Sequence, residues 1–223
     1  KKVASQGVNL IILGRNEERL TNLETEIKNQ PGNQSEIIKI PLDFSNLKES
    51  TKIFSDIIPS KSQNGKITVD ALFICHGAAE IKAIENLTDE EIERYNTSYI
   101  TSNIVMTNDF AQQGGKGMTV CSSANSFVYT GYIAQYGAVK RWMNTFYNSI
   151  KIEVDFPIQI LNIGVIKNTR FFDNVPEGTK KLVTPPDSAL TPERVADFVL
   201  SSYGTNFEVD VGTDCILYRI LFW

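Results

Sequence analysis

The 223-residue sequence has few of the side chains from which metal sites and disulfide frameworks are built. It contains one histidine, His76, and three cysteines, Cys75, Cys121 and Cys215, which are far apart in the chain. This spacing fits neither a zinc site nor a disulfide framework and is typical of a reducing compartment. We therefore expect no metal site, a loop-packing role for His76, and buried, weakly polar side chains at Cys75 and Cys121.

Strong charge imbalance and long apolar runs are absent as well. The formal net charge is −4 and the isoelectric point is about 5.2, so the sequence lacks the basic signature of a nucleic-acid-binding protein. It also has no apolar run of about 18 residues or more, the length that could span a membrane. The apolar and aromatic residues at 215–223 leave two interpretations open, a segment that faces a membrane or an ordinary segment of the core or of a dimer interface.

Strand and helix patterns alternate along the chain. Short apolar runs predict strands at residues 8–13, 37–42, 71–75, 118–121, 158–163 and 209–212. Helical spacing of apolar residues predicts helices at residues 16–28, 47–58 and 192–202, a long helix that begins after Thr88, and another from Tyr136. Continuous apolar strands between helices favour an α/β fold, a Rossmann-like doubly wound parallel sheet in three layers. With 42% hydrophobic residues, the chain is predicted to form one domain over residues 1–223.

The stretch between Thr119 and Trp142 contains the residues with the clearest chemistry. Tyr136 and Lys140 are four residues apart on a predicted helix, so their side chains lie on one face, a turn apart. An ammonium group beside a phenol lowers the pKa of the phenol towards the range that is useful for acid–base catalysis. Ser123 follows a predicted strand, where its hydroxyl can face the same point. For the tyrosine and lysine alone, the alternative is a pair of surface side chains, because this spacing is common by chance.

A serine after a strand, followed by Tyr-x-x-x-Lys on the next helix, resembles the catalytic core of the short-chain dehydrogenases/reductases. The resemblance implies reduction of a ketone by hydride from a nicotinamide cofactor. Tyr136 would donate a proton to the developing alkoxide, and Ser123 would hydrogen-bond the same oxygen. Lys140 would lower the pKa of Tyr136 and hold the nicotinamide ribose. The resemblance also implies that Asn96 kinks the long helix and completes a proton path to solvent through a water on Lys140; the alternative is an ordinary exposed asparagine on a helix.

The carboxyl ends of the predicted strands are where a parallel sheet of this kind binds its ligand. Arg15 follows the first of these strands, at the position where an acidic residue would bind the ribose of NAD. A guanidinium there favours the 2′-phosphate of NADPH, and Arg19, four residues on, could add a second phosphate contact. The alternative is that both arginines are surface charges.

Three further cofactor residues are implied by the resemblance alone. Asp43 matches the family aspartate that meets the adenine amino group, and Ile166 would lie near the nicotinamide carboxamide. Gly77 is the last residue of a Cys-His-Gly run that stands where the family has Asn-Ala-Gly and lines the cofactor. The cysteine is a departure from the family pattern. A second departure is Ile163, where the family has proline.

The first strand of the family and its glycine-rich phosphate turn are not found in the sequence. Residues 1–7 resemble the end of a helix, with basic residues ahead of Gly7, which suits a left-handed C-cap. The glycine fingerprint would therefore precede Lys1, and we expect the natural protein to have it. The glycines within 114–117 precede a predicted strand and are interpreted as a turn, not as a phosphate loop.

Nearly the whole sequence is similar to the subfamily that reduces 3-ketodihydrosphingosine in sphingolipid synthesis, especially in the segments LGRNEERL and TGYIAQYGAVK and in the LTPERVADFVL…VDVGTD tail. This similarity implies a long-chain keto-lipid substrate under an apolar lid that contains Phe171 and Phe172. It also implies peripheral or anchored association with the cytosolic face of the endoplasmic reticulum membrane. The alternatives are reduction of another lipid, steroid or acyl ketone, a cytoplasmic location, and a non-catalytic NADP-binding scaffold. The helix from Tyr136 could form the interface of a homo-oligomer or belong to the core.

Overall fold

The structure is a computed structural model that describes residues 1–61, 67–169, 171, 187 and 189–212. The chain divides into two compact units, each of which is formed by two segments. Unit 1 consists of Lys1–Val69 and Arg94–Gln113, and unit 2 consists of Asp70–Glu93 and Gly114–Trp223. The prediction of a single domain over residues 1–223 stays a prediction.

Unit 1 is built on a parallel strand pair and the helix that joins its strands: β1 (Leu10–Gly14), α1 (Glu17–Lys28) and β2 (Ile37–Pro41). These elements match the predicted ones closely. Asn16 caps α1, because its side-chain oxygen accepts a 2.8 Å hydrogen bond from the backbone N–H of Arg19. Gly7 adopts the predicted left-handed conformation (φ 79°) at the end of a 3-10 turn, Ala4–Gln6.

The predicted helix over residues 47–58 is interrupted in the structure. The chain forms the short helix α2 (Leu47–Ser50) and then a π-helical turn (Ile53–Ile57). Between them, Lys52 adopts a left-handed backbone conformation (φ 56°), which ends regular helix. The carboxylate of Asp109 accepts hydrogen bonds from the backbone N–H groups of Phe54 (2.7 Å) and Ser55 (3.3 Å). Asp109 therefore caps the N-terminal end of the π-helical turn, as a side chain caps the start of a separate helix.

The long helix predicted after Thr88 is present but contains a wider turn. It consists of α3 (Asp89–Asn96), a π-helical turn (Thr97–Thr101) and α4 (Ser102–Gln112). Thr88 and Glu91 form the predicted capping box, in which each backbone N–H donates to the side chain of the other residue, at 3.1 and 3.2 Å. The π-helical turn begins directly after Asn96, the residue at which the family resemblance implies a kink.

Unit 2 contains a four-stranded parallel sheet with a helix on each face. Its elements are β3 (Ala71–Ile74), β4 (Gly117–Ser123), α5 (Ala134–Ile150), β5 (Ile158–Ile163), α6 (Pro192–Ser202) and β6 (Glu208–Val211). Every residue of β5 is buried. On one face, Asn162 hydrogen-bonds Asn144 of α5 at 2.7 Å; on the other, Leu161 packs with Val195 of α6. The prediction of a sheet covered on both faces is confirmed for this unit.

All strand ladders among the described residues are parallel, as the predicted fold class requires. β1 pairs with β2, while β3, β4, β5 and β6 pair in chain order. The Rossmann-like α/β class is thereby confirmed. Within the described part of the chain, no helix is long and apolar enough to cross a membrane. Residues 215–223 lie outside the described residues, so both interpretations of that segment stay open.

Candidate active site

The helix α5 carries Tyr136 and Lys140 one turn apart, and both side chains are buried. Their exposed fractions are 8% and 5%, so the alternative of two surface side chains is wrong. The ammonium nitrogen of Lys140 lies 5.7 Å from the centre of the Tyr136 ring. The fold therefore holds a cation against the ring of a buried phenol.

The Lys140 ammonium is held by the strand next to its helix. Its Nζ donates a 2.7 Å hydrogen bond to the backbone carbonyl of Cys121 in β4. Burial lowers the pKa of Lys140 from 10.5 to about 8, although the nearby thiols of Cys121 and Cys75 act in the opposite direction. At neutral pH the side chain is therefore mainly protonated and remains a cation beside Tyr136.

The strand β4 ends in two serines whose hydroxyls have different partners. The Ser122 hydroxyl donates a 3.3 Å hydrogen bond to the backbone carbonyl of Lys140, which ties α5 to β4. The buried Ser123 hydroxyl accepts a 3.2 Å hydrogen bond from the backbone N–H of Asn125 and caps the short turn after the strand. Ser122 therefore serves the packing of α5, and Ser123 is the candidate for a catalytic hydroxyl.

Gly137 permits a close approach of α5 to the turn after β4, a feature that the sequence analysis missed. A Cβ atom at position 137 would lie 3.2 Å from the backbone carbonyl oxygen of Asn125, closer than most real Cβ contacts. This oxygen is part of the backbone and cannot rotate away as a side chain would. A glycine directly after Tyr136, inside a helical pattern, is the signal that indicates such packing.

We expect Gly137→Ala to lower both the stability of the protein and the rate of catalysis. In an open helical site, alanine would stabilise the protein by about 1 kcal/mol over glycine. Here the contact with Asn125 overpacks the site, so the free energy of unfolding should fall by about 1 kcal/mol. Chemical denaturation and turnover measure the two effects. Gly131→Ala is the control, because a Cβ there meets no atom within 4 Å; equal effects of both variants would contradict the packing argument.

A buried polar network below the candidate site fixes α5 to β5 and β6. Asn144 of α5 donates from Nδ2 to Asn162 Oδ1 at 2.7 Å and lies 3.1 Å from Ser126 Oγ. Asn162 donates in turn to Glu208 (2.7 Å) and Asp210 (3.1 Å) of β6. Such directional contacts specify the rotation and height of α5 on the sheet more closely than apolar packing does.

Phe171 lies against Tyr136 from the segment that follows β5. The two ring centres are 5.4 Å apart and the rings are inclined at 63°, an edge-to-face arrangement. Phe172, the second residue of the implied lid, lies outside the described residues. An apolar ring therefore lies directly beside the candidate acid.

Unit 1 holds the residues that were predicted for the adenosine side of a cofactor. Arg15 and Arg19 are exposed, while Asp43 is half-buried just after β2. The Asp43 carboxylate accepts hydrogen bonds from the backbone N–H (2.9 Å) and hydroxyl (2.8 Å) of Ser45. Burial alone would raise the pKa of Asp43, but the Ser45 hydrogen bonds and the charges of Arg15 and Arg94 outweigh it, and the pKa is lowered. Asp43 is therefore an anion within electrostatic reach of Arg15.

The structure places Gly77, Asn96 and Ile166 in three different settings. Gly77 follows β3, and a Cβ there would lie 3.4 Å from the Nζ of Lys140, so its bare backbone lies against the ammonium. Asn96 is exposed at the end of α3 and belongs to unit 1. Ile166 forms an isolated bridge with Leu190 and packs on the apolar cluster between β5, β6 and α6. The functional roles of these three residues stay predictions.

The expectation of a buried side chain is wrong for Cys75. Cys75 is exposed after β3, and Cys121 is half-buried in β4. Their sulfur atoms are 3.6 Å apart. The sequence did not reveal this pair because the two residues meet only when β3 and β4 align. Among the described residues, no group of histidine, cysteine or acidic side chains is arranged to hold a metal ion.

Comparison with known proteins identifies a family and relatives for this chain. The profile of the short chain dehydrogenases matches residues 1–179, which is most of the chain. The 7beta-hydroxysteroid dehydrogenase of Mediterraneibacter gnavus is 23% identical over 223 residues, which cover 95% of this chain and 80% of that protein. The 7beta-hydroxysteroid dehydrogenase of Collinsella aerofaciens is 22% identical with the same coverage.

Solved structures have the same fold. A 7beta-hydroxysteroid dehydrogenase structure superposes with a TM-score of 0.77 at 19% identity, covering 100% of this chain and 84% of the other. The alcohol dehydrogenase of the archaeon Thermococcus sibiricus, complexed with 5-hydroxy-NADP, gives 0.76 at 21% identity, with coverage of 95% and 88%. A short-chain dehydrogenase from Sphingobium yanoikuyae in complex with NADPH gives 0.74 at 18% identity, with coverage of 90% and 76%. With the profile match over residues 1–179, the chain is a member of the short chain dehydrogenase family.

Proposed function

We propose that this protein is an NADPH-dependent reductase that converts a ketone of an apolar, lipid-like substrate to an alcohol. The observation that carries the proposal is the buried pair on α5, in which the Lys140 nitrogen lies 5.7 Å from the Tyr136 ring. A cation beside a phenol favours proton donation, because it stabilises the phenolate that donation leaves behind. The similarity to 7beta-hydroxysteroid dehydrogenases supports an oxidoreductase that acts on an apolar molecule.

Each catalytic residue has a defined part in the proposed reaction. NADPH, when bound, supplies the hydride. Tyr136 donates its phenol proton to the ketone oxygen, so that one hydride and one proton convert the carbonyl to a secondary alcohol. Ser123 donates a hydrogen bond to the same oxygen, where negative charge develops. Lys140 stabilises the Tyr136 phenolate, and Asn96 helps to return a proton from solvent through a water.

The residues of unit 1 fit the adenosine part of NADPH. Arg15 is exposed and presents its guanidinium after β1, where a forked contact with the 2′-phosphate is available. Arg19 is one helical turn further along and supplies a second positive charge. Asp43, fixed by its hydrogen bonds from Ser45, is proposed to accept a hydrogen bond from the adenine amino group.

The residues of unit 2 fit the nicotinamide part. Gly77 leaves bare backbone beside the Lys140 ammonium, because a Cβ there would lie 3.4 Å from the Nζ of Lys140. Lys140 and Tyr136 are proposed to hydrogen-bond that ribose, and the backbone at Ile166 is proposed to meet the carboxamide. The NADP-type cofactors in similar structures from Thermococcus sibiricus and Sphingobium yanoikuyae support NADPH.

Arg15→Glu is expected to reverse the cofactor preference. A carboxylate would repel the 2′-phosphate of NADPH but could accept hydrogen bonds from the ribose hydroxyls of NADH. Loss of one charged hydrogen-bonding contact should raise the KM for NADPH about 10- to 100-fold. The measurement is the ratio of the KM values for NADPH and NADH. Lys48→Glu, the same charge change at another exposed site of unit 1, is the control; a ratio that Arg15→Glu leaves unchanged would contradict the assignment.

Two substrate classes are supported by different observations. The 7beta-hydroxysteroid dehydrogenases among the relatives favour a steroid ketone. The similarity of LGRNEERL and TGYIAQYGAVK to the sphingolipid subfamily favours 3-ketodihydrosphingosine. Phe171 beside Tyr136 suits both, because each substrate presents apolar surface close to its ketone.

Turnover with a panel of ketones separates these classes. NADPH oxidation is followed with a steroid ketone, with 3-ketodihydrosphingosine and with a 3-oxoacyl thioester, and the kcat/KM values are compared. The proposal expects turnover of at least one of them, and the highest value identifies the substrate class. NADPH binding without turnover of any ketone would contradict the proposal and favour a non-catalytic NADP-binding scaffold.

A further inference from the structure

Cys75 and Cys121 form a thiol pair that the proposed reduction does not use. Their sulfur atoms are 3.6 Å apart; Cys121 lies in β4, Cys75 directly follows β3, and both lie beside Lys140. We propose that hydrogen peroxide joins these two cysteines in a reversible disulfide and that this modification switches the reductase off. The effect on turnover rests on the proposed function, whereas formation of the disulfide does not.

The strand register places the two cysteines side by side. Ile74 pairs with Val120 as the last pair of the parallel ladder between β3 and β4; Cys75 is the first residue after β3, and Cys121 is the next residue of β4. Neighbouring strands lie about 4.8 Å apart, which is within the range of about 4.4–6.8 Å that disulfides span between Cα atoms. The sulfurs must approach by about 1.5 Å to reach a bond length of about 2.05 Å, and side-chain rotation can supply that movement.

Cys75 is the member of the pair that reacts first. A hydrogen bond with the Cys121 thiol lowers the pKa of Cys75, and the charge of Lys140 acts in the same direction, against the effect of burial on the sulfur. The same hydrogen bond, together with burial, raises the pKa of Cys121 well above its ordinary value. The thiolate therefore forms at Cys75, and a thiolate is the form that attacks peroxide.

The oxidation is balanced by one molecule of hydrogen peroxide. The Cys75 thiolate attacks a peroxide oxygen, the O–O bond breaks, and the departing hydroxide takes up a proton to give water. The Cys121 thiol then attacks the sulfur of the resulting sulfenic acid, the S–S bond forms, and a second water leaves. Both sulfurs are oxidised and the peroxide is reduced. A dithiol reverses the modification by thiol–disulfide exchange.

The disulfide affects the candidate active site through Lys140. The Lys140 Nζ donates its 2.7 Å hydrogen bond to the backbone carbonyl of Cys121 itself, so the cross-link forms at the residue that holds the ammonium. A thiolate at Cys75 also favours the protonated form of Lys140 by charge interaction. Because a disulfide cannot ionise, the ammonium loses this support when the bond forms. Turnover should therefore fall when Cys75 and Cys121 are linked.

The test follows the disulfide and the turnover in the same sample. In the full chain carrying Cys215→Ser, Cys75 and Cys121 are the remaining cysteines. This protein is treated with hydrogen peroxide without NADPH, denatured, alkylated and digested for mass spectrometry. We expect the two peptides to be joined, lighter by two hydrogen atoms, and unalkylated. Ketone reduction should disappear at the same rate as the free thiols and return after treatment with dithiothreitol.

Cys121→Ala is the matched control, since Cys75 then has no thiol to resolve it. In this variant dimedone should trap a sulfenic acid at Cys75, no linked peptide should form, and circular dichroism establishes that the chain is folded. Two alkylated thiols after peroxide treatment of the Cys215→Ser protein would overturn the proposal, as would a linked protein with unchanged turnover. Absence of ketone reduction before any peroxide is added would count against the proposed function and not against the disulfide. Mass spectrometry detects the disulfide whether or not the protein reduces ketones.

Discussion

Tyr136→Phe is expected to lower kcat for ketone reduction by about 10²- to 10⁴-fold, the range that a positioned general acid contributes. The substitution removes only the phenol oxygen, and the ring can keep its edge-to-face contact with Phe171. The melting temperature should therefore change little, and the NADPH dissociation constant should rise by no more than about 10-fold, the effect of losing the one proposed hydrogen bond to the ribose. Steady-state turnover measures kcat, and the quenching of protein fluorescence by NADPH measures the dissociation constant.

Tyr147→Phe is the matched control for this loss. Tyr147 lies on the same helix and is fully buried, so its substitution also removes a hydroxyl from a buried tyrosine of α5. It should leave kcat unchanged, because Tyr147 is not part of the proposed catalytic group. Substantial ketone reduction by Tyr136→Phe would mean that another residue donates the proton.

Lys140→Met is expected to reduce turnover about 10²-fold while making the apo protein more stable. Turnover falls because the variant loses the cation that stabilises the Tyr136 phenolate. Burial of this cation, which lowers the pKa of Lys140 from 10.5 to about 8, costs about 3 kcal/mol at neutral pH. The variant also loses the hydrogen bond to Cys121, which reduces this gain in stability by about 1 kcal/mol. The free energy of unfolding should therefore rise by about 2 kcal/mol at pH 7.

The pH dependence of stability distinguishes this origin from a packing effect. Between pH 8 and about 10.4, the unfolded chain retains a proton on lysine that the folded protein has released. Titration of Lys140 should therefore make the free energy of unfolding rise with pH through this window, whereas the raised pKa of Cys121 contributes a fall above about pH 9; the cost of the buried lysine charge is fully present only below the window. Lys140→Met should lack this rise. Lys151→Met, at a half-buried lysine that ends α5, is the control and should retain most of it.

Local patterns predicted much of the fold. The capping box of Thr88 and Glu91 appears with both of its hydrogen bonds, and Thr191 caps α6 through the backbone N–H of Arg194. The bounds of β5 agree with the prediction residue for residue. These features depend on side chains within a few residues of each other, so the linear sequence contains the information that determines them.

The features that the sequence did not predict depend on residues far apart in the chain. The break at Lys52 is stabilised by Asp109, and the position of α5 depends on polar contacts between Asn144 and Glu208. The pKa of Asp43 is lowered by the charge of Arg94 as well as by that of Arg15, the arginine that the sequence indicated. Periodicity reports which face of an element is apolar, but it does not report which distant polar group will meet that face.

The pH dependence of kcat/KM with a fluorinated tyrosine at position 136 tests the central claim most directly. Fluorination keeps the size and ring of Tyr136 but makes its phenol a stronger acid. If the protonated phenol is the proton donor, the fall in ketone reduction at high pH should move to lower pH. The shift should equal the difference in pKa between the phenols of tyrosine and fluorotyrosine. A fall that remains at the same pH, as titration of Lys140 would produce, would contradict the account.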